Sequence, residues 1–181
     1  MAEARQPATG RWRYAALFLG LAVLWLFVRL LPLNTAPTNW PGPDLMLCLT
    51  LAWVLRRPDY VPALLVAAVF LIEDFLLMRP PGLWALIVLL GTEFLRARHV
   101  QMRELGLFTE WLVVAVVITA MVLVNRLVLV VTVVPQSDLG LVALHMMATI
   151  LAYPLVVGLC FVAFRLRKPT TGEVDSRGRR L

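Results

Sequence analysis

Serine is almost missing from this chain. Ser137 and Ser176 are the only two, one in a short polar connector and one near the C-terminus, and neither lies in a G-x-S-x-G turn. H-E-x-x-H and Walker motifs are also missing, so the zinc-peptidase and phosphate-loop patterns are excluded. The two cysteines, Cys48 and Cys160, sit inside apolar runs without C-x-x-C spacing. That removes the metal and redox motifs and leaves both as small packing residues. Intramembrane aspartyl chemistry needs two positioned aspartates, but Asp44, Asp59 and Asp138 all fall at segment ends. The expectation is a protein that is no enzyme and takes no cofactor and no metal.

What is present is apolar side chain. Residues of the AVILMFWYC set make up 61% of 181 positions and the mean hydropathy is +0.83, far above a soluble domain. The fold class expected is an all-α integral membrane protein. The formal net charge of +6 could suggest nucleic acid, yet the basic residues form short groups between apolar runs and in the tail, where topology determinants belong. No nucleic-acid partner is therefore expected.

Residues 1–13 are polar, and the first apolar run, 14–31, is longer than a signal-peptide core and lacks a small-x-small cleavage site, so it reads as an uncleaved first helix. Residues 32–43 read as a loop with Trp40 at an interface. Residues 45–55 are too few to span unless 40–44 extend them, and a re-entrant segment is the alternative. Residues 60–78 form the third run, 82–95 the fourth, 108–134 the fifth and 141–164 the sixth, with Pro154 predicting a kink. A basic connector with His99 as a solvated loop residue separates the fourth and fifth runs. Residues 165–181 read as a disordered basic tail, which makes 14–164 a single six-helix membrane domain.

Lys and Arg are distributed unevenly over six crossings. Residues 1–13, Arg56 and Arg57, the 96–103 connector and the tail hold all of them except Arg79 on the other side and Arg29 and Arg126 within runs. The bias predicts both termini in the cytoplasm and an even number of crossings.

The costly residues are those inside the runs. Glu73 and Asp74 interrupt an apolar stretch, and an ionised carboxylate there costs several kcal/mol unless paired or hydrated. Arg79-Pro80-Pro81-Gly82 follows and cannot continue a helix, so the chain turns there. Arg29, Asp74 and Arg126 each lie roughly 21 to 23 Å from the cytoplasmic ends of their helices. Asn125 is beside Arg126, and His145 enters the sixth helix at a similar level, so a polar layer near the outer face is predicted. In that layer Asp74 pairs with Arg29 or Arg126; the alternative is that both arginines snorkel separately to headgroups. Ala63, Ala67, Leu71, Asp74 and Met78 share one helical face, which predicts Asp74 inward and Glu73 turned toward lipid headgroups or a partner. Glu93 is expected to pair with Arg96 at i+3, His145 to act in helix packing, and Ala16 and Gly20 to form a small-xxx-small pair.

Ile72-Glu73-Asp74, a break, and then Gly82-Leu83 resembles the aspartate-then-Leu-Gly pattern of the MreD family, small rod-shape-determining inner-membrane proteins of bacteria. Residues 95–111, with Gln101, Arg103 and Trp111, resemble that family's cytoplasmic connector, and residues 53–58 the end of its second helix. Met78 stands near where many members have glycine. The likeness covers nearly the whole chain. It implies a non-catalytic protein that joins MreC and, through that assembly, the MreB filament, RodA and a class B penicillin-binding transpeptidase. It also implies a fold similar to the S components of energy-coupling-factor vitamin transporters, with Asp74 and Gly82 as structural positions.

Two functions are thus expected. One is a wall-synthesis scaffold whose first loop, 33–40, meets a periplasmic partner. The other is an S-component-like small-molecule binder with an outward cavity lined by Asp74, Asn125, Arg126 and His145.

Overall fold

The structure is a computed structural model that describes residues 8–31, 42–103, 106–134 and 138–164. Its elements are α1 (Ala8–Leu30), α2 (Leu45–Arg56), a 3-10 turn (Pro58–Tyr60), α3 (Ala63–Leu76), α4 (Leu83–Ala97), the short α5 (His99–Arg103), α6 (Leu107–Val131) and α7 (Leu139–Phe164). Among the described residues there is no strand. Residues 1–7, residues 32–41 with Trp40, and the tail from 165 lie outside the described residues, so the expectations placed on them do as well, whereas residues 8–13 of the expected polar segment form the first turns of α1.

Helix boundaries follow from local chemistry. Asp44 caps α2 by accepting the Leu47 amide at 3.0 Å, and α2 ends where Pro58 forces Arg57 out of the helical region. Residues 42–44 are not helical, so the α2 helix itself has twelve residues and begins only at Leu45. After α3, Met78 adopts the left-handed conformation at φ 51°, Pro80 and Pro81 follow, and Gly82 at φ 85° opens α4. Residues 99–103 form a helix turn where a solvated connector was expected, and the Nδ1 of His99 lies 2.9 Å from the Arg96 carbonyl.

The α7 helix runs through Pro154. Proline lacks an N–H, so the Ile150 carbonyl loses its helical donor. The indole N–H of Trp111 in α6 donates to that carbonyl at 2.9 Å, which repairs the gap and joins α6 to α7.

Ten of the twelve α2 residues are buried, so α2 is the central helix, packed on α7 and α4. Its length is about 18 Å, against about 35 to 39 Å for α1, α6 and α7. Those three are long and apolar enough to cross a membrane, over Trp12–Leu30, Leu107–Val131 and Leu139–Ala163. They mark the chain as a membrane protein. Their outer faces are apolar too: Leu151, Leu155, Leu159 and Val162 run exposed down α7. In α1, Ala16 and Gly20 are exposed and, among the described residues, nothing approaches within 4 Å of a Cβ on Gly20, so this pair makes no packing contact with them. Close packing is made by Gly91 instead, where a Cβ would meet the Met121 side chain of α6.

Candidate functional site

Helix direction sorts the polar residues into two clusters at opposite ends of the bundle. We call the end where α1, α3 and α6 finish, and α2, α4 and α7 begin, the upper end.

At the upper end Arg29, in the last turn of α1, donates to Glu73 Oε1 at 2.5 Å. The Glu73 side chain is fully buried. This corrects two expectations: Glu73 does not face lipid, and Arg29 pairs with it rather than with Asp74. The buried face of α3 is Val66, Val69, Phe70, Glu73 and Asp74, whereas Leu71 and Met78 are exposed. Asp74 is fully buried, as predicted; in a run that is apolar all round, the small residues Ala63 and Ala67 carry little facing information, which is why Leu71 and Met78 were placed on the wrong side and Glu73 was not placed inside.

Asp74 bonds to neither arginine. Its Oδ2 accepts the amides of Gly82 and Ala85, both at 3.1 Å, so it satisfies the first turn of α4 across the hairpin. The turn motif thereby has a reason: Met78, Arg79, Pro80, Pro81 and Gly82 bring the start of α4 back over the end of α3. The Arg79 guanidinium lies 5.9 Å above the Trp84 ring.

Where the short α2 stops, Asp44 and α7 meet. The Asp44 amide donates to Thr149 Oγ1 at 3.0 Å, the Cys48 thiol donates to the Thr149 carbonyl at 3.3 Å, and His145 Nδ1 donates to the Gly42 carbonyl at 2.7 Å. Above this floor is a cavity of about 480 Å³ whose lining includes Arg29, Asp44, Arg79, Asn125, Arg126 and His145. The structure therefore gathers Arg29, Asn125, Arg126 and His145 at one cavity, adds Arg79 and Pro80 from the turn, and leaves Glu73 and Asp74 out of the lining.

The lower cluster was not anticipated. Arg56, expected in a connector, is 5% exposed and donates to Glu110 Oε1 at 2.9 Å; the Tyr153 hydroxyl donates to the same oxygen at 2.7 Å. Three helices, α2, α6 and α7, meet on one fully buried carboxylate. Charge counting assigns Arg56 to topology and passes over Glu110 at the start of its run; a carboxylate three residues into an apolar helix was the signal available. Glu93 pairs with Arg96 at 3.1 Å, as the i+3 spacing predicts, and Arg96 Nη2 donates to the Val61 carbonyl at 2.7 Å.

Buried ion pairs give little net stability against an apolar replacement, but removing one member leaves an uncompensated charge. Both clusters are thus registry devices that make each helix depend on a distant partner. No protein-family model, curated protein or solved structure matches the chain.

Proposed function

We propose that the chain is a six-crossing scaffold of the bacterial inner membrane, with both termini in the cytoplasm, that holds a cell-elongation complex together by binding MreC. The observation that carries this reading is the pair of buried ion bridges at opposite ends of the bundle, Arg29 with Glu73 and Arg56 with Glu110. They join helices distant in sequence and engage their charges inside the bundle, as suits a rigid frame that presents fixed helix faces to partners. Hydrogen bonding between helices supports the same role. The resemblance to MreD at the 72–83 turn supplies the partner, and through MreC the frame would reach MreB, RodA and the transpeptidase. On this reading α2, α3 and α4 also cross, the lower end is cytoplasmic, and Arg57, Arg96 and Arg98 face the cytoplasm. Depletion in the native host tests it: cells should round up and lose lateral wall insertion, whereas unchanged rods overturn the scaffold.

The upper cavity favours a second reading, an S-component-like subunit that binds a small molecule from outside. Unchanged cell shape combined with a new vitamin requirement on depletion would select it.

A further inference from the structure

Helix direction divides the charge of the chain as well as its polar contacts. Three arginines, Arg29, Arg79 and Arg126, lie at the upper end with four acids, Asp44, Glu73, Asp74 and Asp138, so that end is balanced to within one charge. Every other Lys, Arg, Asp and Glu belongs to segments that meet at the lower end, where α1, α3 and α6 begin and α2, α4 and α7 finish. There, fourteen of the seventeen Lys and Arg stand against seven of the eleven Asp and Glu. The surplus of positive charge is net of every acid at that end, so no ion pair within it removes the excess.

Topology does not need so many. Residues 1–13, Arg56 and Arg57, and the 96–103 connector set eight basic residues against Arg79 on the opposite side, a bias complete without the tail. Residues 165–181, which follow α7 at the lower end, add six Lys and Arg and only two acids. A polybasic segment directly after a membrane helix is drawn to an anionic bilayer surface, and like charges gathered at one end of a bundle repel unless counter-charge comes from outside it.

The described surface says where that counter-charge lies. Trp12, 76% exposed, and Phe108, 68% exposed, stand at the lower ends of the spans Trp12–Leu30 and Leu107–Val131, the position of aromatic belts at headgroup depth. Arg13 is exposed beside Trp12. The Arg98 guanidinium lies 3.9 Å from the Phe94 ring centre, and that of Arg57 lies 5.9 Å from the Tyr60 ring centre. A guanidinium resting by its face on a ring keeps its N–H donors in its own plane, where phosphate oxygens can meet them. An acidic protein needs only the charge, whereas a bilayer interface takes the aromatic rings and the guanidiniums together.

We infer that the lower end binds anionic phospholipid, with headgroup phosphates held by Arg13, Arg57 and Arg98 and by the basic residues of 165–181. The inference rests on the partition of charge and stands apart from the scaffold and small-molecule readings.

The full-length protein is reconstituted in bilayers of dioleoyl-phosphatidylcholine mixed with brominated phosphatidylglycerol, and in the converse mixture with the bromine on phosphatidylcholine, so that tryptophan quenching counts each lipid at the ring. Subtraction of Trp12→Phe isolates the lower end, and Met78→Trp supplies an exposed reporter at the upper end. Phosphatidylglycerol is expected to be enriched about fivefold at Trp12 and not at the upper reporter, one basic residue near the surface being worth about that factor. Raising the salt to 1 M, where the Debye length is about 3 Å, should abolish the preference. The joint change Arg177→Gln, Arg179→Gln and Arg180→Gln, in the segment after α7, should lower it, as should Arg13→Gln with Arg98→Gln; melting curves establish that both variants are folded. Equal quenching by the two lipids at Trp12, the same preference at both ends, a preference that survives 1 M salt, or one unchanged in both folded charge variants overturns the site. Binding of soluble poly-glutamate by the protein in phosphatidylcholine bilayers, without a preference for phosphatidylglycerol, assigns the lower end to an acidic partner and overturns it too.

Discussion

Glu73 Oε1 lies 2.5 Å from Arg29 Nη1, so the carboxylate one residue before Asp74 joins the ends of α1 and α3. The adjacent Asp74 accepts backbone amides at the start of α4, those of Gly82 at its N-cap and Ala85 in its first turn. Two neighbouring acids thereby hold different helices, because successive residues on a helix point about 100° apart.

Either Arg29→Ala or Glu73→Ala should lower stability by about 3 kcal/mol, since each strands a charge. The exchange Arg29→Glu with Glu73→Arg should restore part of that loss, while Asp74→Arg with Arg126→Asp should restore none. Unfolding in mixed micelles by denaturant titration measures both; recovery in the second pair would reject the assignment.

At the lower end, Glu110→Ala should cost about 3 kcal/mol or more, because the buried Arg56 would lose its counter-charge. Tyr153→Phe removes one hydrogen bond and should cost about 1 to 2 kcal/mol. The apolar pair Arg56→Met with Glu110→Leu should return most of the stability, as measured by melting temperature.

The Trp111 and Pro154 pair predicts a coupling. Trp111→Phe leaves the Ile150 carbonyl without a donor and should destabilise by about 1 to 2 kcal/mol. In a Pro154→Ala background the helix supplies that donor, so the penalty of Trp111→Phe should shrink. A double-mutant cycle on unfolding free energies reads the difference.

The α3–α4 turn can be separated into its parts. Asp74→Ala should cost about 1 kcal/mol, and Asp74→Asn, which keeps an acceptor, less. Met78 is 95% exposed and holds a positive φ, so Met78→Gly should be stabilising or neutral, relieving about 1 kcal/mol of strain against the added backbone entropy. Thermal unfolding of the three variants gives the order.

Topology is checked with single cysteines at exposed sites of the two ends, Arg98→Cys and Met78→Cys, the native Cys48 and Cys160 being buried. An impermeant thiol reagent should reach Met78→Cys from outside intact cells, and Arg98→Cys only after permeabilisation. Labelling of both from one side would reject an odd number of crossings between them.

Composition and run lengths were enough for the all-helical class and for the long helices, because α1, α6 and α7 are apolar over whole turns and Pro and Gly punctuate between them. Arg29, Asn125, Arg126 and His145 could be brought to one level by counting rise per residue. Depth along a helix is linear in sequence, and so legible. Azimuth was legible only in part: Asp74 faces inward as the α3 pattern predicts, but Glu73, Val66, Val69 and Phe70 are buried with it while Leu71 and Met78 are exposed, so the buried face was placed too narrowly and the partner of Arg29 was missed.

The sequence by itself determined that the chain is apolar and helical, where its helices break, and that Glu93 pairs with Arg96, since these depend on neighbours within a few residues. Only the tertiary structure decided that Arg29 meets Glu73, that Arg56, Glu110 and Tyr153 share one buried carboxylate, and that a short central α2 leaves a cavity beneath Arg79 and Arg126. Those pairings join residues more than forty positions apart. In a chain whose inner and outer surfaces are equally apolar, hydrophobicity does not choose which helices meet; the packing of shapes and the few buried charges do.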